Sequence, residues 1–238
     1  MKVLIIGATG ATGKDLVKIL LNDDDVRQVD VFVRQALDLT HEKLHTHIIE
    51  FDKPEEWKHL VAGDVLFSCL GTTRALAGSK EAQWKIDYDY QYEFAKTARE
   101  NGIEQYVLVS AVGASAKSAV FYNKMKGALE DAVKLLDFPK LIIFQPPLLI
   151  RENTDRKGEI FAEKAINFFN KIGLFRSQTP LSTKALAEAM IESVKSLYSG
   201  TYAIDRKKTL IFSSMYKHKR AEEQKTKKRV ESAKNLEQ

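Results

Sequence analysis

The chain opens Met-Lys and runs straight into VLIIGATGATGKD, an apolar segment from Val3 to Ile6 closed by three glycines, Gly7, Gly10 and Gly13. Few short patterns restrict a fold as much. A lysine behind glycines suggests the phosphate loop of a nucleotide triphosphatase, which needs glycine, four residues, then Gly-Lys and a Ser or Thr for magnesium. Gly13-Lys14 fits, but Ala8 stands where the first glycine belongs and Asp15 follows the lysine. Both ends of that motif fail. What remains is a buried strand, a glycine turn and a helix beginning near Thr12, the arrangement that binds dinucleotides. The glycines let backbone amides approach a pyrophosphate, and the helix N-terminus offers partial positive charge. The spacing departs from G-x-G-x-x-G, so on this motif alone a structural turn without ligand stays open.

The rest of the chain repeats the theme. Apolar, β-rich runs at Val3–Ile6, Val29–Val33, His47–Phe51, Val65–Cys69, Tyr106–Val109 and Leu141–Phe144 read as strands. Helical patterns at Thr12–Leu21, Lys80–Asn101 and Ser118–Leu136 lie between them, and Asn101-Gly102 is a helix stop. The stretch Gln35–Thr46 reads as loop. Alternation of this kind predicts an α/β fold: a Rossmann-type doubly wound parallel sheet. After Pro146-Pro147 the pattern loosens, and helices near Glu159–Ile172 and Thr183–Leu197 with a strand at Thr201–Ile204 are expected to form a small C-terminal substrate lobe. Residues 1–205 then make one domain, with about 146–205 as the lobe and 206–238 as a basic polar tail.

At 238 residues, one domain is expected, large enough to need neither disulfides nor a metal. The single cysteine excludes an internal disulfide framework and agrees with a reducing compartment. No apolar stretch reaches the length of a membrane span, and the first strand is in use rather than a secretory leader, so a cytoplasmic protein is expected. The net charge of +5 is uneven: Arg206 to Gln238 holds eleven Lys or Arg and four Asp or Glu, leaving the remaining 205 residues at −2. The tail mixes signs and has no interleaved aromatics towards its end, so it predicts a solvated helix or frayed end, with a protein partner as the other reading; nucleic acid is not expected. His41, His45 and His47 form H-x-x-x-H-x-H without a supporting Cys or carboxylate pattern, and no metal is expected.

Chemistry concentrates at the predicted strand ends. Strand two ends in VFVRQ, where an acidic residue would bond a free ribose 2′-hydroxyl; Arg34 instead offers a charged fork to a 2′-phosphate, favouring NADP(H) over NAD(H). Asp52 closes strand three within reach of an adenine amino group, and Gly71 in SCLGTT lets the chain pass close to a cofactor. Cys69, without a predictable base, reads as a small buried thiol. In VLVSAVGASAKSAVFYNKMKG, Tyr122 and Lys126 are four apart on one helix face. An ammonium beside a phenol is expected to lower its pKa from about 10 towards working pH, making Tyr122 a proton donor to a carbonyl oxygen. Lys126 is placed to bond the nicotinamide ribose, and Ser110 to hold the substrate oxygen.

With these residues in view the chain resembles the short-chain dehydrogenase/reductase superfamily, in its atypical, NmrA-like branch with Tat-interacting-protein-type oxidoreductases and their bacterial relatives. The resemblance runs from Met1 to about Leu197. It rests on GATGATG, Arg34, CLGTTRALAGS, KIDYDY with Phe94-Ala95, SAVGASAKS, and YNKMKG followed by Glu130. It implies a Rossmann fold and a catalytic set of Ser110, Tyr122 and Lys126. The cofactor contacts expected are Gly7, Thr9, Gly10, Ala11, Thr12 and Gly13 in the first turn, then Arg34, Asp52, Cys69, Leu70, Gly71, Tyr122, Lys126 and Pro146. Two departures stand out. Where many members carry an Asn holding a relay water, this chain reads Ile86-Asp87-Tyr88, and where an Arg-Pro pair is common it has Gln145-Pro146.

Two functions follow from this reading. One is an NADPH-dependent reductase of a small-molecule carbonyl; the other is an NADP(H)-binding regulator with little turnover, motivated by the two departures. Substrate choice is expected to reside in Arg151–Pro180, where Phe161, Phe168-Phe169 and Leu174-Phe175 form an aromatic stripe that reads equally as core or pocket lining.

Overall fold

The computed structural model describes residues 1–150 and 179–236. Its centre is a sheet of seven parallel strands: β1 (Lys2–Ile6), β2 (Gln28–Val33), β3 (Leu44–Ile48), β4 (Val65–Ser68), β5 (Gln105–Val109), β6 (Lys140–Phe144) and, near the C-terminus, Gly200–Ile204. In space they run β3-β2-β1-β4-β5-β6 and then Gly200–Ile204, so the chain reverses direction across the sheet between β1 and β4. The Rossmann-type doubly wound sheet read from the sequence is borne out.

Strand alternation explains the two cores. Val3 and Ile5 of β1, Val29, Val31 and Val33 of β2, Val65 and Phe67 of β4, and Ile142 and Phe144 of β6 point to one face. There they meet helix α1 (Ala11–Leu21) and a later helix, Thr183–Ser196. Leu4, Ile6, Phe32, Leu66, Leu108 and Ile143 point to the other face. With strands buried on both sides, the runs read as continuously apolar rather than alternating.

The second face is covered by α5 (Tyr90–Glu100) and α6 (Phe121–Lys134), after the short helices α2 (Pro54–Trp57), α3 (Arg74–Ala77) and α4 (Lys80–Trp84). The continuous helix expected over Lys80–Asn101 is interrupted: Lys85–Asp89 forms a π-turn between α4 and α5. Polar side chains stabilise the widened turn. Gln91 donates to the Asp87 carbonyl at 2.7 Å and accepts from Ser68 at 2.7 Å, tying the turn to the end of β4. Such turns are frequent at functional sites.

Two further expectations change. Strand three lies at Leu44–Ile48 rather than His47–Phe51. As an edge strand, half exposed along LHTHI, it needs no apolar run; Ile49 and Phe51 belong to the following loop, which packs beside Trp57. The strand near Thr201–Ile204 is no part of a separate lobe. It pairs with β6 from Lys140↔Gly200 to Phe144↔Ile204 as the seventh strand.

A small parallel pair, β7 (Leu149–Ile150) and β8 (Leu181–Ser182), leads into α7 (Thr183–Ser196); β9 is the seventh strand, Gly200–Ile204, and α8 (Arg206–Leu236) follows. Thr209, Ser213 and Tyr216 of α8 are buried, and Ser213 donates to the buried Glu188 of α7 at 2.7 Å. The basic C-terminal stretch is thus one long helix whose first half packs on the body. The expected helix Glu159–Ile172, the aromatic stripe and most of Arg151–Pro180 lie outside the described residues.

Phe94 on α5 stacks on Trp57 at 4.9 Å and meets Phe32 edge-on at 4.8 Å, with no exposed surface. Phe94→Ala is expected to cost about 3–5 kcal/mol, as burial and cavity effects add. A urea titration followed by circular dichroism measures it.

Candidate active site

The chain reversal between β1 and β4 opens a crevice at the C-terminal edge of the sheet, where ligands bind in open α/β folds. The glycine turn sits at that edge. Gly7 has a φ of 81°, and a Cβ there would collide with the backbone of Cys69 and Leu70. A Cβ on Gly13 would strike the Gly7 carbonyl. Gly7 and Gly13 thereby let the loop after β4 and the start of α1 close on the end of β1. Gly10 is the N-cap of α1, no side chain among the described residues caps the helix, and its first turn contains no acidic residue. The first helical amides and the positive end of the helix face the edge uncompensated, which suits a pyrophosphate. Thr9 and Ala11 flank Gly10 in this turn, while Thr12 is buried at the start of α1.

Arg34 follows β2 directly and is exposed. It lines a cleft of about 370 Å³ with Ile49, Glu50 and Trp57, and one of about 230 Å³ with Phe51, Asp52 and Tyr90. Lys53 pairs with Glu50 at 3.0 Å and Glu56 at 3.6 Å, so the carboxylates near Arg34 already have a cation. Asp52 is bonded to Lys85 at 2.6 Å and to the Tyr90 phenol at 2.7 Å. The bond to Lys85 above all holds its carboxyl below the usual aspartate range. An adenine amino group would share Asp52 with both.

At the end of β4, burial pushes the Cys69 thiol up to about 12, against the smaller opposing pull of Lys126. This agrees with an inert thiol. Leu70 is half-buried, and Gly71 lies beside Asp87, whose Oδ1 would be 3.6 Å from a Cβ there. At the end of β6, the Pro146 carbonyl accepts from the Val112 amide at 2.9 Å, joining the β5 and β6 loops.

Ser110, Tyr122 and Lys126 come from the end of β5 and one face of α6. Ser110 is buried, and its hydroxyl donates to Glu130 Oε1 at 2.5 Å. Gln145 Nε2 donates to both Glu130 oxygens at 3.0 Å. A serine has one proton to give, and here Glu130 holds it. Lys126 is 3% exposed, with Nζ 3.5 Å from the Val109 carbonyl. Tyr122 departs from expectation. Burial first, and then the charge of Asp87, push its phenol up from the ordinary value near 10, not down. The i, i+4 spacing was correctly read, but Asp87 on the π-turn had no place in that argument. Lys126 acts instead on Asp87, opposing the burial that raises its carboxyl.

Glu130, Gln145 and Asp87 are the site residues whose roles the sequence reading missed. Glu130 was legible in one respect: it stands four residues after Lys126, continuing the face of Tyr122 and Lys126. The substitution of Gln145 for the commoner Arg keeps a hydrogen-bond donor for Glu130 without adding charge.

Residues 7–137 match the NAD(P)H-binding family. The chain belongs to it. It is 37% identical to Protein FMP52, mitochondrial, of Eremothecium gossypii over 175 residues, covering 72% of this chain and 76% of that protein. It is 33% identical to Protein fmp52-2, mitochondrial, of Aspergillus oryzae over 198 residues, covering 78% and 85%. Among solved structures, the oxidoreductase ylbE of Lactococcus lactis matches with a TM-score of 0.58 at 18% identity, covering 88% of this chain and 95% of that one. UDP-glucuronic acid 4-epimerase of Bacillus cereus, in complex with NAD, matches with a TM-score of 0.66 at 12% identity, covering 86% and 76%. At such identities the structures establish the shared fold alone. The resemblance to the short-chain dehydrogenase/reductase class stands at the level of the shared fold and the NAD(P)H-binding domain.

The expectation of a cytoplasmic protein is overturned, because the curated relatives are named as mitochondrial proteins. It leaned on the exclusion of a secretory leader, which is only one kind of address. Among the described residues no helix is long and apolar enough to cross a membrane, and no three His, Cys, Asp or Glu stand together as a metal group.

Two tests follow from the polar interior. Glu130→Gln turns an amide N–H₂ towards Gln145, and Gln145→Glu faces two carboxylates; each is expected to cost about 1–3 kcal/mol. The swapped double variant should recover a large part of the combined loss in a denaturation cycle. Cys69, with its thiol held well above the ordinary value of about 8.5, should resist iodoacetamide at about pH 8.5 and react promptly once urea unfolds the chain. Mass spectrometry counts the adduct.

Proposed function

We propose that this chain is an NADPH-dependent oxidoreductase that reduces a carbonyl group on a small molecule. The observation that carries the reading is the shared edge: Ser110, Tyr122 and Lys126 stand at the same end of the sheet as an uncapped helix N-terminus and a glycine turn. Gly7, Thr9, Gly10, Ala11, Thr12 and Gly13 would hold the pyrophosphate, with Cys69, Leu70, Gly71 and Pro146 shaping the nicotinamide half. When bound, the cofactor supplies the hydride that reaches the carbonyl carbon.

This chain's residues do the rest. Tyr122, kept as a phenol, gives its proton to the developing alkoxide. Ser110, whose own proton is engaged by Glu130, accepts a hydrogen bond from the new hydroxyl and holds the product oxygen in register. Lys126 would bond the nicotinamide ribose, and its ammonium would offset the phenolate left on Tyr122 until a proton returns to it from solvent. Arg34 makes no hydrogen bond or ion pair among the described residues, and its fork suits a 2′-phosphate, which supports NADP(H) over NAD(H). The names of the relatives support mitochondria as the place of action.

A second reading, an NADP(H)-binding regulator with little turnover, draws on one observation: the Ser110 proton is committed to Glu130 rather than offered to a carbonyl.

Calorimetric titration with NADPH and NADH at one salt concentration tests the cofactor assignment. NADPH is expected to bind tighter, and Arg34→Ala should remove about ten- to a hundredfold of that preference, the worth of a charged hydrogen bond. Equal affinity for both nucleotides in wild type would sink the NADP assignment. NADPH oxidation against a panel of aldehydes and ketones, in wild type and Tyr122→Phe, separates the two functions. Turnover lost in the variant with binding retained supports the reductase; turnover absent from both supports the regulator.

A further inference from the structure

Asp87 is buried without exposed surface in the π-turn between α4 and α5. Its Oδ1 accepts from the Thr72 amide at 2.7 Å. Its Oδ2 is buried too, yet has no hydrogen-bond partner among the described residues. A buried carboxylate oxygen left in this state is costly, and its retention asks for an explanation. Across from the turn, α6 carries Lys126, an almost fully buried cation whose one hydrogen bond among the described residues is the 3.5 Å contact to the Val109 carbonyl. It needs a counter-charge.

The neighbouring groups narrow the choice. Cys69, from the end of β4, stays a neutral thiol at working pH because burial pushes it up to about 12. Glu130, one turn further along α6, is occupied by Ser110 and Gln145. Lys80 of α4 lies over the ring of Phe121, 5.5 Å from its centroid, beside Tyr122 but not among the groups acting on it. Gln83 of α4 is neutral, and its amide donates to the Thr72 carbonyl at 3.2 Å. Among the described residues this leaves Asp87 as the carboxylate that acts on both Lys126 and Tyr122.

We propose that Asp87 is a positioning residue that takes up the charge of Lys126 and so withholds it from the buried Tyr122, setting the site to give a proton to a substrate oxygen rather than remove one. The inference rests on the reading of Tyr122 as proton donor, and it adds a direction: reduction is favoured over oxidation at neutral pH. Without Asp87 the Lys126 ammonium is released to act on the phenol, which should then ionise more readily.

The test needs no substrate. Protein labelled with carbon-13 at tyrosine Cζ is followed by NMR from about pH 6 to about pH 10.5, a window bracketing the ordinary tyrosine value near 10. Tyr122→Phe assigns the signal, and Tyr106, fully buried on β5, reports that the fold is intact. In wild type, Tyr122 is expected to remain a phenol throughout. In Asp87→Asn, which is isosteric and keeps the acceptor for Thr72, it should titrate within the window, lower by at least about one unit. Adding Lys126→Met should return it to the phenol. Asp87→Ser removes the same charge if Asn disturbs Tyr106. A phenolate signal below the ordinary value in wild type would overturn the inference, as would a phenol unmoved in both Asp87 variants with Tyr106 unchanged. NADPH titrations of the same samples keep the two readings apart: a shifted phenol without NADPH binding refutes the proposed reductase and upholds the role of Asp87.

Discussion

Everything at the C-terminal edge of this sheet depends on one close approach of backbones. The end of β1 meets the Cys69–Leu70 peptide so tightly that no side chain fits at Gly7, and the start of α1 meets the Gly7 carbonyl so tightly that none fits at Gly13. With those contacts made, β1 and β4 stand side by side as the chain reverses, and α1 points its uncapped N-terminus into the crevice. Arg34, the loop after β4 and the turn holding Asp87 are then arranged around one space. A side chain at either glycine would push the helix or the loop away and dissolve the site's geometry, even with every chemical group still present.

The second half of the site is built from buried polar groups, which a fold tolerates only when they satisfy one another. Ser110, Glu130 and Gln145 form one such set, linking α6 to the ends of β5 and β6. Ser68, Gln91 and the Asp87 carbonyl form another, linking the π-turn to β4. Together they fasten both walls of the crevice to the sheet. They also settle protonation. The proton on Ser110 belongs to Glu130, and the phenol of Tyr122 lies in surroundings that resist a negative charge.

Most of the sheet was legible because strands buried on both faces must be apolar throughout, and β1, β2, β4, β5 and β6 fall within a residue of the apolar runs. The edge strand β3 was misplaced because one of its faces is exposed and the pattern there is weak. The π-turn was illegible because its cause is tertiary: Gln91 reaches a carbonyl of its own helix while held by Ser68 from β4. Strand β9 was assigned to a lobe because no local signal tells which sheet a short strand joins. Its pairing with β6 was available only from the folded chain.

The sequence by itself determined the fold class, the glycine turn and the face shared by Tyr122 and Lys126. Those depend on local rules: apolar burial, the lack of a Cβ, and the helical repeat. It also carried Arg34 to a strand tip, where its charge is available to a ligand. Only the tertiary structure decided which charges face one another. Asp87 lies thirty-five residues before Tyr122, on the π-turn, yet burial and then its carboxylate raise the phenol that Lys126 alone was expected to lower. Electrostatic interaction depends on distance and on the water excluded between charges, and neither can be read along a chain.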